Sequence, residues 1–258
     1  TDMPTRLTIT NSIFWGNRKA GNVISSVAWS GVEGNAGSYT TYSNLERTSG
    51  VYTGTGNINQ DPLFVNAADP DGADNQWMTA DDGLRLSVCS PAINAGTNSG
   101  APATDILGNA RVGTTDMGAY EFQGTPPSIL YVNDAVASSG DGTSWATAFK
   151  TLQEALQLGC PSATQIWVAQ GTYYPDEGGS FVDNDRNAAF TMKNGVAIYG
   201  GFLGNEASDY DLSLRNFVIN ETTLSGDLDQ NDGANFANNG GNAYHVIYNN
   251  GNQLHNNT

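Results

Sequence analysis

Apolar and polar residues alternate at the start of the chain. Leu7, Ile9 and Ile13 are set against Thr8, Thr10 and Ser12. A period of two predicts a strand with one buried face, and Gly16-Asn17 predicts the turn that ends it. Short apolar runs separated by polar turns continue through residue 65, including TYSNLE at 41–46 and GNINQDPLF at 56–64. Further strands are predicted at Ile129–Val132, Ile166–Val168, Phe190–Met192, Val196–Phe202, Thr222–Gly226 and His245–Asn249. One segment departs from this pattern. Phe149, Leu152 and Leu156 fall at helical spacing with Ala148 and Ala155 beside them, which predicts an amphipathic helix within 145–158. Thr151-Leu152-Gln153-Glu154 fits a capping box, so the helix should start a turn after Trp145.

The predicted strands recur at roughly 20 to 30 residues, the length of one solenoid coil. A doubly wound α/β fold would need alternating helices, and no second helical pattern is present. In stacked coils, Asn residues can form ladders at the corners. A helix laid across the first coil would cover apolar side chains and unpaired backbone that the coil otherwise exposes.

Residues 81–121 run DDGLRLSVCSPAINAGTNSGAPATDILGNARVGTTDMGAYE. This stretch closely resembles the C-terminal closing segment of bacterial secreted right-handed parallel β-helix proteins, the choice-of-anchor or polymorphic outer-membrane-like surface proteins. After Gly124-Thr125-Pro126-Pro127, the run ILYVNDAVASSGDGTSWATAFKTLQEAL looks like the N-terminal cap of another such β-helix. QIWVAQGTYYP and FTMKNGVAIYGGFLGNE are similar to the family's first coils. The resemblance is strongest at 56–122 and 129–206 and covers most of the chain.

The resemblance implies an all-β fold, a right-handed parallel β-helix in two partial modules with one short capping helix. Residues 1–123 would be the last coils and closing segment of a first β-helix, 124–128 a proline-containing linker, and 129–258 the cap and first coils of a second. Proline restricts its own φ and the residue before it, so the linker should be stiff and extended. The chain begins among late coils and stops in early ones, so the polypeptide is expected to continue in both directions. The implied function is a structural segment of a long cell-surface adhesin or filament, exported to the extracellular side by the type IX secretion route. The implied partners are flanking β-helix modules of the same polypeptide, with surface polysaccharide or the secretion machinery beyond them.

Charge narrows the partners further. Charged residues are 14 % of the chain and the formal net charge is −16. Nucleic acid needs clustered Lys and Arg, so it is disfavoured, and a bare anionic membrane would repel the chain. No apolar stretch of about 18 residues or more exists, so direct membrane insertion is not expected, and no signal peptide is visible. With only Cys89 and Cys160, a disulfide framework is not indicated, and two buried unpaired thiols are expected.

Excess acid draws attention to divalent cations. Asp69, Asp71 and Asp74 surround Gly72, and Asp81 and Asp82 follow before Gly83. Calcium takes six to eight oxygen ligands, and a glycine lets a loop turn around it. The spacing departs from an EF-hand, and a solvated acidic turn is the plainer alternative. Asp227, Asp229, Asn231 and Asp232 precede Gly233 in a half-loop of the same kind that lacks a closing acidic ligand. A polar corner is its plainer reading. Asp134, Asp141, Asp183 and Asp185 read as turn formers. Zinc is disfavoured because His245 and His255 are the only histidines and no Cys-x-x-Cys occurs.

The alternative function is carbohydrate-active, either cleaving or binding polysaccharide. Glycoside hydrolysis needs two carboxylates about 5–10 Å apart, and a lyase of this fold would need a Lys or Arg base. The lysines are Lys19, Lys150 and Lys193; Lys150 falls in the predicted cap helix and Lys193 in a tight turn before Asn194-Gly195, and neither lies in an acidic cluster. Trp15, Trp29, Trp77, Trp145 and Trp167 could stack on sugars; Trp145 and Trp167 are expected to pack near the cap, and Trp77 to be exposed. The chain is therefore expected to have no catalytic residues and not to be an enzyme.

Overall fold

The computed structural model describes residues 7–19, 22–23 and 38–249. Trp29 and His255 lie outside them. The chain divides into two compact units between Thr125 and Pro126. Among the described residues it consists of short strands, irregular segments and one α-helix, with small parallel sheets that do not close.

In the first unit, β1 (Leu7–Thr10) and β2 (Ile13–Phe14) are followed by an antiparallel pair, β3 (Arg18–Lys19) and β4 (Asn22–Val23). Then β5 (Ser38–Thr41) lies parallel to β1, and β6 (Asn44–Leu45) lies parallel to β2. The corner between strands repeats as well. Ser12 and Ser43 each donate a hydroxyl hydrogen bond back to the carbonyl two residues earlier, on Thr10 and Thr41, at 3.0 Å. The Ser12 amide donates to the Ser43 hydroxyl at 3.2 Å, which joins the two corners. A third segment stacks on through a parallel bridge between Asn44 and Ile58. There Asn57 stands where the others have serine, and its side-chain oxygen accepts the Ser43 amide at 3.2 Å.

The corner needs a left-handed residue in each layer. Asn11, Tyr42 and Gly56 supply it, with φ of 51°, 48° and 71°. At Gly56 a Cβ would also collide with the Tyr42 ring, so glycine is required there by conformation and by contact. Residues 84–122 lie over these layers. Leu86, Ala92 and Met117 are buried and pack with Ile13, Tyr42, Ile58 and Phe64. Asn11 fastens the join: its side chain donates to the Thr97 carbonyl and accepts the Thr97 amide, both at 2.8 Å.

The second unit opens with β7 (Ile129–Val132), every residue of which is buried. The free edge of β7 is covered by the segment that follows it. Tyr131 donates to the Gly142 carbonyl at 2.9 Å, and Phe149 donates to the Tyr131 carbonyl at 2.9 Å. A 3₁₀ turn spans Trp145–Thr147, and the helix α1 is Leu152–Leu158. Thr151 caps α1 with the full reciprocal box: its hydroxyl accepts the Glu154 amide, and the Glu154 carboxylate accepts the Thr151 amide. Gly159 ends the helix in the left-handed region. The buried face of α1 holds Leu152, Gln153, Ala155 and Leu156, and the helix packs on β7 and β10.

The remaining strands come in two sets of three. The first set is β8 (Gln165–Ala169), β9 (Gly171–Tyr173) and β10 (Phe190–Thr191). The second is β11 (Ala197–Phe202), β12 (Thr222–Leu224) and β13 (Ile247–Tyr248). β11 pairs with β8, β12 with β9 and β13 with β10, all parallel. β7 takes the other edge of β8, also parallel. The core sits under β8: Ile129, Tyr131, Ala148, Trp167 and Phe202 form one buried cluster.

Both cysteines depart from the sequence-based expectation. Cys89 and Cys160 are buried, as expected, but they are disulfide-bonded and not free thiols. Two cysteines so distant in sequence carry no spacing signal, so only the folded chain reveals their state.

Candidate functional site

The densest chemistry in the first unit lies in its closing segment, which contains little regular structure. Four buried acids do the work that strands do elsewhere: they accept loop amides that would otherwise be unpaired. Asp82 is fully buried and accepts the Met78 and Thr79 amides at 2.8 and 3.2 Å, the Thr79 hydroxyl, and the hydroxyl of Tyr120. The Tyr120 hydroxyl, foremost among these donors, holds the Asp82 carboxyl below the usual range; burial and the Asp82 charge push the tyrosine up. Asp105 accepts the Leu107, Asn109 and Glu121 amides. Burial raises its carboxyl, but these donors outweigh that and leave it lowered.

Asp116 and Glu121 form the innermost pair. Asp116 accepts the Asn94 and Phe122 amides at 2.7 and 2.6 Å. Glu121 accepts the Asp116 and Val112 amides at 3.0 and 2.8 Å and pairs with the Arg111 guanidinium at 2.8 Å. Burial is the main force on Asp116, assisted by the Glu121 charge, and its carboxyl is pushed up to about 6. The folded state therefore holds the Asp116 proton more tightly than the unfolded chain does. This group favours folding fully below its unfolded value of 3.8, and that contribution is lost as pH rises through about 6. The denaturation midpoint of an Asp116→Asn variant should accordingly fall less between pH 4 and 7 than that of the parent. Parallel midpoint–pH curves for the two proteins would contradict this.

The structure places the sequence-predicted calcium residues on two turns. In the first, Asp69 and Asp71 are half-buried while Asp74 and Asp81 are exposed. Asp81 accepts the Thr79 hydroxyl at 2.7 Å and the Asp74 amide at 3.2 Å; with Thr79 the larger cause, its carboxyl is held low. Asp82 is buried and accepts the Tyr120 hydroxyl. In the second turn, Asp227 accepts the Asn231 and Asp232 amides, both at 3.1 Å. Asp229 and Asp232 accept the side-chain amides of Asn231 and Asn242 at 2.7 and 2.8 Å. Among the described residues no three His, Cys, Asp or Glu side chains are gathered closely enough to hold a metal.

A cavity of about 440 Å³ opens beside the closing segment, lined by Ile13, Phe14, Phe64, Leu86 and Met117. Its polar groups are already engaged: Asn11 with Thr97, Ser12 with Thr10 and Tyr120 with Asp82. Trp77 is 55 % exposed beside the acidic turn, whereas Trp167 is buried in the core and Trp145 packs against it. No protein-family model, curated protein or solved structure matches this chain. No helix among the described residues is long and apolar enough to cross a membrane.

Sequence reasoning missed the structural acids Asp105, Asp116 and Glu121. Their signal was available in the phrases TDILGN and TDMGAYE, where acids lie among small and apolar residues and not in a solvated run. Acids so placed are buried, and buried acids need donors.

Proposed function

We propose that this chain is a structural segment of a secreted surface protein, with each unit a part of a right-handed parallel β-helix. One observation carries the reading: β11, β12 and β13 lie on β8, β9 and β10 in the same order and all parallel. A chain that returns to each strand position in turn is winding as a coil, and a coil stack gains stability with each layer.

Other features support it. The segment after β7 and the helix α1 act as a cap, because they supply partners to the edge strand and cover its apolar face. The closing segment plays the corresponding part in the first unit, and its buried acids serve as fasteners, saturated by amides of their own loops. Disulfide-bonded cysteines fit an oxidising, extracellular setting. The partners in this reading are further coils of the same polypeptide. The exposed turn carrying Asp74 and Asp81 offers oxygens to calcium from the surrounding medium.

The test is incubation of the purified chain with a panel of neutral and acidic polysaccharides. Release of new reducing ends or of unsaturated products, and retardation in gels containing each polymer, are measured. A structural segment gives neither. Cleavage of, or retention by, any one polymer would replace this reading with the carbohydrate-active one.

A further inference from the structure

The second unit contains a set of acids that contrasts with those of the closing segment. β9 runs into the turn Tyr174-Pro175-Asp176-Glu177, which is tied down where Gln153 of α1 donates to the Pro175 carbonyl. Asp176 is only 4 % exposed. One of its oxygens accepts the Asn184 amide at 2.7 Å. The other, Oδ1, is buried and has no partner. The Asn184 bond closes the loop on itself, so Asp183 is brought back towards Asp176, next to which Glu177 stands in sequence.

Asp134 flanks the same place. Its amide donates to the Tyr173 hydroxyl at 3.3 Å, and its carboxylate packs so tightly on Gly171 that a Cβ there would collide with it. No described residue donates a hydrogen bond to the carboxylates of Asp134, Glu177 or Asp183. The carboxylates of Asp176, Asp134 and Asp183 lie close enough to Glu177 to act on its charge, with Lys150 opposing them. The other buried acids among the described residues are satisfied by donors. Here one buried oxygen lacks any donor, and Asp134, Glu177 and Asp183 add negative charge near the turn that carries it.

We propose that Asp176, Glu177 and Asp183 bind a calcium ion, with Asp176 Oδ1 as the fixed ligand. A hard divalent cation accepts oxygen ligands alone, tolerates irregular geometry and completes its shell with water. It would neutralise the charge and satisfy the orphan oxygen, which otherwise costs the fold free energy. Three carboxylates do not yet converge on one point. Asp183 and Glu177 are exposed and would be drawn from the loop surface onto the ion. This site uses none of the carboxylates of the two acidic turns described above, and it does not depend on the coil reading.

The experiment is calcium titration of the whole chain by calorimetry, followed by terbium luminescence excited through the tyrosines, since Tyr173 and Tyr174 adjoin the site. The parent should bind with a rise in melting temperature. Asp183→Asn and Asp176→Asn should each weaken binding by about tenfold or more, while Asp81→Asn and Asp229→Asn leave this site unchanged. Asp176 is buried, so if its variant fails to fold, Asp183→Asn and Glu177→Gln on the exposed loop decide. The absence of heat and thermal shift at millimolar calcium overturns the proposal. So does binding that persists undiminished in Asp183→Asn and Glu177→Gln, or that is abolished by Asp81→Asn or Asp229→Asn.

Discussion

Replacing Trp167 with alanine is expected to destabilise the second unit by about 3–5 kcal/mol. Trp167 is 2 % exposed in β8, the central strand of the three-stranded sheet. It stacks on Phe202 with ring centroids 4.6 Å apart and planes 12° from parallel, and it meets Tyr131 edge-on at 5.8 Å. These contacts join three successive parallel strands, because Tyr131 lies in β7 and Phe202 in β11. Truncation leaves a cavity that aromatic rings on both sides cannot fill without moving the strands that carry them. The side-chain nitrogen also donates to Gln165 at 2.7 Å, a bond that Trp167→Phe would lose while keeping most of the volume. Denaturant unfolding followed by circular dichroism should place the phenylalanine variant between parent and alanine. A loss under about 1 kcal/mol for alanine would mean that the cluster is not the core of this unit.

The second large effect lies in the closing segment. Glu121→Ala should cost about 3–5 kcal/mol, the range for removing one partner of a buried ion pair. The Glu121 side chain is inaccessible, and it is the acceptor for Arg111, Val112 and Asp116 together. Its loss strands the guanidinium, whose Nε already lacks a partner, and two amides. Glu121→Gln keeps the shape and an acceptor and should lose less. Hydrogen exchange reads the difference locally: the Val112 and Asp116 amides should lose protection first. If the two variants are equally stable, neither the shape nor the acceptor that glutamine keeps holds this segment together.

Trp167 and Glu121 lie in different units and the partners given above for each do not overlap, so the two effects should be additive. The division between the units lies between Thr125 and Pro126.

Local signals in the sequence carried much of the fold. The capping box placed the start of α1 at Thr151, because its two hydrogen bonds lie within four residues. The apolar run Ile129–Val132 and the aromatic-rich run around Trp167 are strands buried on both faces, as continuous apolar runs in parallel sheets are. The polar corner residues were harder to place. Ser43 and Asn44 are fully buried, although their side chains belong among turn formers; they are inside because Thr41 and Gln60 carbonyls accept from them.

Partners distant in sequence were not legible. Asp82 sits in a run that reads as a calcium turn, yet its conformation is set by Tyr120, 38 residues away. Nothing in the sequence marks Asp176, yet it is buried in a turn that Gln153 fastens at the Pro175 carbonyl. A periodicity argument sees which face a residue occupies. It does not see which donor arrives there from another layer, and that decides whether an acid is a fastener, a ligand or a solvated charge.

The coil arrangement itself is tested most directly by nuclear Overhauser contacts between strands of the second unit. The account predicts parallel cross-strand contacts from Thr172 to Thr223, from Phe190 to Ile247 and from Trp167 to Tyr199, each within its own sheet and in the registers given by the pairing. Antiparallel contacts at these positions, or contacts joining β9 directly to β10 as a hairpin, would contradict it.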